Sequence, residues 1–479
     1  MTHINAQPDS SSYFALLPFI AFAPYVSVLS SNPRYPNWLV FILSTFMFCG
    51  IGISIASHFS LGLVNGLLIG FLQGSVIPLL LFVPYKGDRG IVWVIIVVAT
   101  WTAIDYLVAQ TYGIAVTLPI QLYRMPLLLQ PISVVGAPAL DGLLMASNAL
   151  LGLLLSEKRC STLTSRKSRL IVLWTALVSV WAFWSVYLWE ELESSEASYA
   201  NVSTISPGRR FNGDPSDLLN MTQNSVNAGA QFVVWPEVYI QPDDVGMSCI
   251  DYVERSISPH LSSIDAYVVV GCEEVLQGDC ESGNIAVTLG PGGKVLGFYG
   301  KQHPVFMIGE SSCVRNGYPN YPIKISGATK NAFAGMSFST LICYDMDFED
   351  SSSIVADMGA SLILNPSEDW SSARGHFAAS VFRAVENRVA VAKADWGWDS
   401  AIIQPSGVIS AMFDSKTIHR ETLFAQVPIY PQKNTFNRMR NNAFAWTCGS
   451  FALIMLLINL RRTRNGPANS QSDVEASLL

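Results

Sequence analysis

The 479-residue chain is 50% hydrophobic and only 14% charged, with a formal net charge of −7 and a mean hydropathy of +0.33. So apolar a composition excludes an ordinary soluble protein and predicts membrane segments, while the acidic balance offers no basic field to nucleic acid. Eight cysteines and six histidines contain no Cys-x-x-Cys and no His-Glu-x-x-His, and no glycine loop leads into Lys-Ser or Lys-Thr, so neither metal nor other cofactor is expected.

In chain order, residues 1–12 read as a polar tail without the basic residues that precede a signal-peptide core. Apolar spans follow at Tyr13–Leu29, Trp38–Ile55, Leu61–Phe82, Ile91–Tyr112, Pro131–Leu155 and Leu170–Leu188. Each is near the roughly 20 residues that cross a bilayer, so residues 13–190 are expected to form a multi-pass bundle of about six helices. Pro18 and Pro24 interrupt the first, and Gly113–Gln130 leaves room for a further short or re-entrant segment. Asp105, Asp141 and Asn148 lie inside apolar stretches. There they either line a lipid-entry cleft or tie helices together by hydrogen bonds.

Basic residues set the expected orientation. The connection Glu157–Arg169 carries Lys158, Arg159, Arg166, Lys167 and Arg169, and the last apolar span, Ala443–Leu460, runs into Arg461, Arg462 and Arg464. The positive-inside rule assigns both to the cytoplasm, along with the polar tail 461–479, and puts residues 189–442 on the extracytoplasmic or lumenal side. Two acceptor sequons there, at Asn201 and Asn220, fit a secretory lumen. Cys249, Cys272, Cys280 and Cys313 share that region and are enough for two disulfides, whose pairing stays open, Cys272 and Cys280 being nearest in sequence.

Residues 198–432 have the grain of a mixed α/β domain. Strands are expected at Tyr199–Ile205, Phe232–Trp235, Ala266–Gly271, Ile285–Leu289, Lys294–Tyr299, Met336–Ile342, Ser361–Leu364, Val389–Ala394, Ser400–Gln404 and Leu423–Val427. Helices at Ser216–Ala228 and His376–Asn387 are the clearest of those between them. Such alternation fits packed sheets covered by helices.

Three apolar runs in this region each end in one functional group: Phe-Val-Val-Trp-Pro-Glu at Glu237, Gly-Lys-Gln-His-Pro at Lys301, and Leu-Ile-Cys-Tyr-Asp at Cys343. Taken singly they read as a surface acid, a solvated turn lysine and a core cysteine. Taken together they suit acyl transfer, because a thiol attacks only as thiolate, a carboxylate can take its proton, and an ammonium favours the anion. Lys301 and the backbone N–H after Cys343 can then hold the tetrahedral oxyanion, and Glu237 can return the proton to the leaving group.

Glu237, Lys301 and Cys343 in that order resemble the nitrilase (carbon-nitrogen hydrolase) superfamily. The layout, with a helix bundle before such a domain and one helix after it, is similar to the apolipoprotein N-acyltransferase branch. So are Ile104–Leu155 with Pro131-Ile132, Gly136 and Asn148, the stretch Asn365–Trp370 followed by His376, and Phe382-Arg383-Ala384-Val385-Glu386-Asn387. The resemblance implies an αββα sandwich beside the membrane bundle. It makes Glu237, Lys301 and Cys343 base, oxyanion stabiliser and nucleophile, and Glu310 a second glutamate near the site.

Tyr344 and Asp345 follow the cysteine as in amidases, and the segment Glu310–Met336 is shorter and more polar than the lipid-gripping arms of the acyltransferases. The expected function is therefore an integral-membrane N-acyltransferase that moves a fatty acyl group from a phospholipid donor through Cys343 to an amine acceptor, a protein N-terminus or another amine. A membrane-tethered amidase with the same triad is the alternative, and an idle binding protein the third reading.

Overall fold

The computed structural model describes residues 16–30, isolated positions between 42 and 71, and residues 91–156 and 165–464 apart from 115–116, 209–214, 243–246, 276–281, 307–309, 311–320, 326–332, 334, 370–375, 414–416 and 432–436. Within them, two six-stranded sheets carry the C-terminal domain. The first has the order β12-β1-β2-β3-β4-β5, from β1 (Ser198–Pro207), β2 (Phe232–Val234), β3 (Tyr267–Val275), β4 (Ser282–Leu289), β5 (Val295–Gly300) and β12 (Arg420–Ile429). The second runs β11-β10-β9-β8-β7-β6, from β6 (Ile323–Lys324), β7 (Ser337–Thr340), β8 (Ala360–Pro366), β9 (Ala390–Ala394), β10 (Ala401–Ile403) and β11 (Ile409–Met412). A parallel trio lies inside each sheet, β1-β2-β3 and β7-β8-β9, with antiparallel strands beside it.

The pleat explains how the layers stack. Along β2, Phe232 and Val234 face the second sheet, whereas Val233 and Trp235 face the opposite way, onto Leu218 and Ile257. Phe232 and Tyr267 stack with ring centroids 5.3 Å apart, and Phe338 from the second sheet meets both edge-on. Helix Ser216–Asn227 covers the outer face of the first sheet, and Glu349–Asp357 and Phe377–Asn387 cover the second. The result is the expected αββα sandwich.

All ten expected strands form, with ends shifted by up to four residues. β6 and β11 were not expected, the one because it is two residues long and the other because Ile409-Ser-Ala-Met holds a single β-branched residue.

Among the described residues, three helices are long and apolar enough to cross a membrane: Ile91–Tyr112, Ala137–Ser156 and Lys167–Glu193. Only 17% of the apolar window in the last is buried, and Val172, Val180, Phe183 and Tyr187 face outward, as lipid-contacting side chains do. The expected span Pro131–Leu155 is not continuous. It divides into Ile132–Val135 and Ala137–Ser156 at Gly136, whose φ of 80° is outside the helical region. Gly113–Gln130 holds a 3₁₀ segment, Leu118–Arg124, and a helical turn, Pro126–Leu129. Pro18 and Pro24 flank the break before Ala23–Ser30, and Ala443–Ile458 is the apolar part of Asn437–Arg464. Trp38–Ile55 and Leu61–Phe82 lie outside the described residues except at isolated positions.

Helices and sandwich meet through polar contacts. Arg388 donates to Gln130 and Ser133, the Ala137 N–H donates to Glu386 at 2.9 Å, and the Tyr344 hydroxyl donates to the Tyr112 carbonyl at 2.8 Å. Gly113 is required at this seam: its φ is +77°, and a Cβ there would stand 2.5 Å from Cβ of Asp347.

Cys249 pairs with Cys272, bridging β3 to the helical turn Cys249–Tyr252; Cys280 and Cys313 lie outside the described residues. The bridge spans a sequence separation of 23. Replacing both cysteines by serine is expected to cost about 3 kcal/mol, from the chain entropy the loop returns to the unfolded state. A lower denaturant midpoint with a steeper slope, from the more expanded unfolded chain, checks this, and reductant on the wild type should reproduce it.

Candidate active site

The three strand-end groups converge where the two sheets open toward the helical region. Pro236 ends β2, and the Glu237 N–H donates to the Ser367 carbonyl at 3.2 Å, which joins the two sheets at this point. The close passage requires Gly271 on β3, because a Cβ there would sit 2.1 Å from the Pro236 carbonyl oxygen. Glu237 is 3% exposed. Its Oε1 accepts from Lys301 Nζ at 2.8 Å and from Asn284 Nδ2 at 2.5 Å, and its Oε2 accepts from the Glu368 N–H at 2.8 Å.

Lys301 follows β5, its N–H bonded to the Asn284 carbonyl at 3.0 Å. Its buried ammonium also donates to both Glu310 oxygens at 2.8 Å, and Glu310 is held in turn by the Val305 N–H at 2.7 Å. None of these groups is the solvated side chain it reads as when taken alone.

Cys343 opens a 3₁₀ segment, Cys343–Asp347, after Leu341 and Ile342 have carried the chain on from the end of β7. Its φ of +45° is left-handed, a conformation that costs a non-glycine residue on the order of 1–3 kcal/mol and that gathers at functional sites. Asp345 holds this turn. One oxygen accepts from the Gln302 and His303 N–H groups at 3.1 and 2.8 Å, the other from the Tyr299 hydroxyl at 2.8 Å and the Ile342 N–H at 3.0 Å. Asp345 therefore ties the Lys301 loop to the Cys343 loop and is a positioning residue, while Tyr344 faces the helices.

Behind the cysteine stands a charge network that sequence reasoning did not assemble. His376 meets Asp369 through Nδ1 at 2.8 Å and Asp347 through Nε2, and Asp369 also binds Lys393. One donor atom from each of Cys343, Asp369 and His376 falls within 4.8 Å of the others. The trio has the residue types of a metal site, but carboxylates already engage both ring nitrogens, which leaves no imidazole lone pair for an ion. Burial disfavours the imidazolium, yet Asp369 and Asp347 outweigh it and hold His376 well above its ordinary range.

The family model described as carbon-nitrogen hydrolase matches residues 206–429, which include all of these side chains. Apolipoprotein N-acyltransferase 2 of Treponema pallidum is 25% identical over 286 residues, 54% of this chain and 50% of that protein. Residues 206–429 are thus similar to carbon-nitrogen hydrolases of the nitrilase superfamily. Apolipoprotein N-acyltransferase of Geobacter metallireducens is 29% identical over 127 residues, 26% of this chain and 24% of that protein. The matches thus span half or less of these relatives. Among solved structures, an amidase from Nesterenkonia sp. aligns over 52% of this chain and 98% of its own, at 18% identity and a TM-score of 0.35.

Electrostatics inside this domain disfavour the resting thiolate. Burial and the Glu237 carboxylate push Cys343 well above the usual thiol range, with Lys301 opposing them. Burial also raises Glu237, against Lys301 and with Glu310. Lys301 resists the lowering that burial imposes, because Glu237, Cys343 and Glu310 together hold it well above its ordinary value. Passing the proton from Cys343 to Glu237 conserves the charge of the buried group, so it avoids the cost of a new isolated ion.

A counter-intuitive outcome follows for Glu237→Gln. Removing the carboxylate that raises the thiol shifts the pH profile of Cys343 alkylation by iodoacetamide to lower pH, while turnover falls for want of the base. A profile unchanged or shifted upward contradicts the coupling.

Proposed function

We propose that this membrane-associated nitrilase-superfamily enzyme transfers a fatty acyl group from a phospholipid to an amine through a thioester on Cys343. Glu237 removes the thiol proton as Sγ attacks the ester carbonyl. Lys301 and the Tyr344 N–H, in the first turn of its 3₁₀ segment, receive the oxyanion. The ester C–O bond breaks, and the lysophospholipid leaves with the proton from Glu237. The amine then attacks the thioester, the C–S bond breaks, and the amine's proton passes through Glu237 to the thiolate. Glu310 and Asn284 keep the Lys301 ammonium and the Glu237 carboxylate in register.

The observation that carries this reading is the seating of the nucleophile's loop on the apolar helices, through Tyr344 on Tyr112 and Asp347 against Gly113. A site so placed opens beside lipid, which serves a membrane-borne donor and does little for a small soluble amide. Tyr344-Asp345 favours the amidase reading by resemblance alone, since Asp345 here spends its oxygens on the loops. Product analysis separates the two: full-length protein in phospholipid vesicles with a primary amine yields N-acylated amine and lysophospholipid, whereas an amidase leaves the phospholipid intact and hydrolyses small amides.

The reading extends to topology, with the bundle at 13–190, the catalytic domain at 198–432 on the extracytoplasmic or lumenal side, and the helix 443–460 returning to the cytoplasm. Asn220 is exposed on helix Ser216–Asn227, whereas Asn201 is partly buried in β1 with its amide donating to Gly229. In a eukaryotic secretory membrane Asn220 is the expected glycan acceptor, and Asn220→Gln should abolish the glycosidase-sensitive mobility shift. Protease protection of the 461–479 tail and the catalytic domain on the same side contradicts this topology.

A further inference from the structure

A partly open cavity lies between the apolar helices and the catalytic loops. Its lining carries the carboxyl groups of Asp105, Asp141, Asp347, Glu349 and Glu386 against one guanidinium, that of Arg383. The guanidinium is turned to Glu386 and to the carbonyls of Met346 and Asp347. Two buried oxygens at the lining, Asp347 Oδ1 and Thr102 Oγ1, meet no hydrogen-bond partner among the described residues, and a third, Asp141 Oδ2, meets no donor there, its carboxyl lying against that of Asp105. Their side chains are 1%, 0% and 3% exposed. The other oxygen of each aspartate is in use, Asp141 Oδ1 by the Trp101 indole at 2.9 Å and Asp347 Oδ2 by His376.

Carboxylate oxygens without a donor in a buried wall call for a ligand that brings both N–H donors and positive charge. Ala109, Ile114, Ala137 and Pro138 supply apolar surface for a short alkyl stem, which favours an organic ammonium over a bare ion. Asp347 joins the cavity to the reacting centre, because its second oxygen meets His376, which stands beside Cys343.

We propose that this cavity is an ammonium subsite, in which Asp141, Asp347 and Thr102 receive the primary ammonium group of an amine substrate. The proposal rests on the acyl-transfer reading and names the polar group that reading leaves open. The ammonium can come from the acceptor before it loses its proton, or from an amine-bearing headgroup of the donor lipid. Asp141 lies in the second turn of Ala137–Ser156, at its domain-facing end, so a group entering from the membrane surface reaches it without crossing the bilayer.

The test begins with binding, which needs no turnover. Full-length protein in detergent is titrated with butylammonium, and its thermal midpoint is followed beside matched titrations with butanol and sodium chloride. Butylammonium alone should raise the midpoint. Asp141→Asn, which keeps the acceptor for Trp101, should weaken its binding roughly tenfold or more, the scale of one charge-assisted hydrogen bond, and Thr102→Val should weaken it less. An equal response to butanol or sodium, or wild-type binding in both variants, overturns the subsite whether or not the protein transfers acyl groups.

The source is then read from the two half-reactions in vesicles. A headgroup ligand predicts that Asp141→Asn slows Cys343 acylation from phosphatidylethanolamine but not from phosphatidylglycerol. An acceptor ligand predicts unchanged acylation and a raised KM for butylamine. An Asp141→Asn protein unaltered in both steps overturns the proposal.

Discussion

Cys343→Ala is expected to abolish N-acylated product, not merely slow it. The proposed mechanism routes every acyl group through Sγ, which the alanine variant lacks. Binding the donor beside Lys301 supplies polarisation but no covalent intermediate, so the residual rate should be that of the uncatalysed reaction. The fold should survive, because the substitution removes one small atom from a loop held by the four hydrogen bonds to Asp345. A wild-type thermal midpoint with no product is the expected pair of readings. Product formation at more than a small fraction of the wild-type rate removes Cys343 from its role.

Lys301→Ala should slow acylation roughly 10²–10³-fold, the scale of losing one oxyanion donor. It carries a second effect that Cys343→Ala does not. With the ammonium gone, Glu237 and Glu310 face each other as like charges with no cation between them, and breaking a buried pair in this way costs on the order of 3–5 kcal/mol. Glu237 titrates higher in consequence, since Lys301 is what opposes its rise.

The sign of the pH dependence follows from the wild-type lysine. Its folded value is raised, so its stabilising contribution is fully present below the ordinary lysine range and is lost only as pH climbs through that raised value. The lysine's own contribution to the gap between wild type and Lys301→Ala should therefore be flat through neutral pH and be lost only in strong alkali, while acidification through the raised Glu237 narrows the gap by relieving the variant's like-charge pair. A gap that widens on acidification contradicts the assignment of the ammonium as the partner.

Much of this was legible in the chain because the functional groups end apolar runs. Val233-Val234-Trp235-Pro236 can only be a buried strand that stops, and the residue delivered at its end is Glu237; the runs before Lys301 and Cys343 work in the same way. What was not legible depends on contacts between distant segments. Asn284 reads as an ordinary strand residue until β4 pairs with β5 and brings it against both glutamates. Gly271 shows no turn signal, since its role is to let the Pro236 carbonyl pass.

The same holds behind the nucleophile. Asp347, Asp369, His376 and Lys393 come from four separate segments and mean little apart. Sequence spacing left the cysteine pairing open, and it is decided only when β3 carries Cys272 to Cys249. In the helices, Asn148 proved to be a tie, bonding the Pro18 carbonyl and the Phe22 N–H, whereas Asp105 and Asp141 face the cavity. Nothing in an apolar run distinguishes these two outcomes for a buried polar residue before the helices are packed.

The central claim, a thioester at Cys343 drawn from phospholipid and discharged to an amine, is tested most directly by intact-mass and peptide mapping of the full-length protein in vesicles without an amine. The account predicts one added acyl group per chain on the peptide that contains Cys343, released by hydroxylamine and chased within one turnover by a primary amine that appears acylated. No adduct at Cys343, or an adduct that added amine does not discharge, would contradict it.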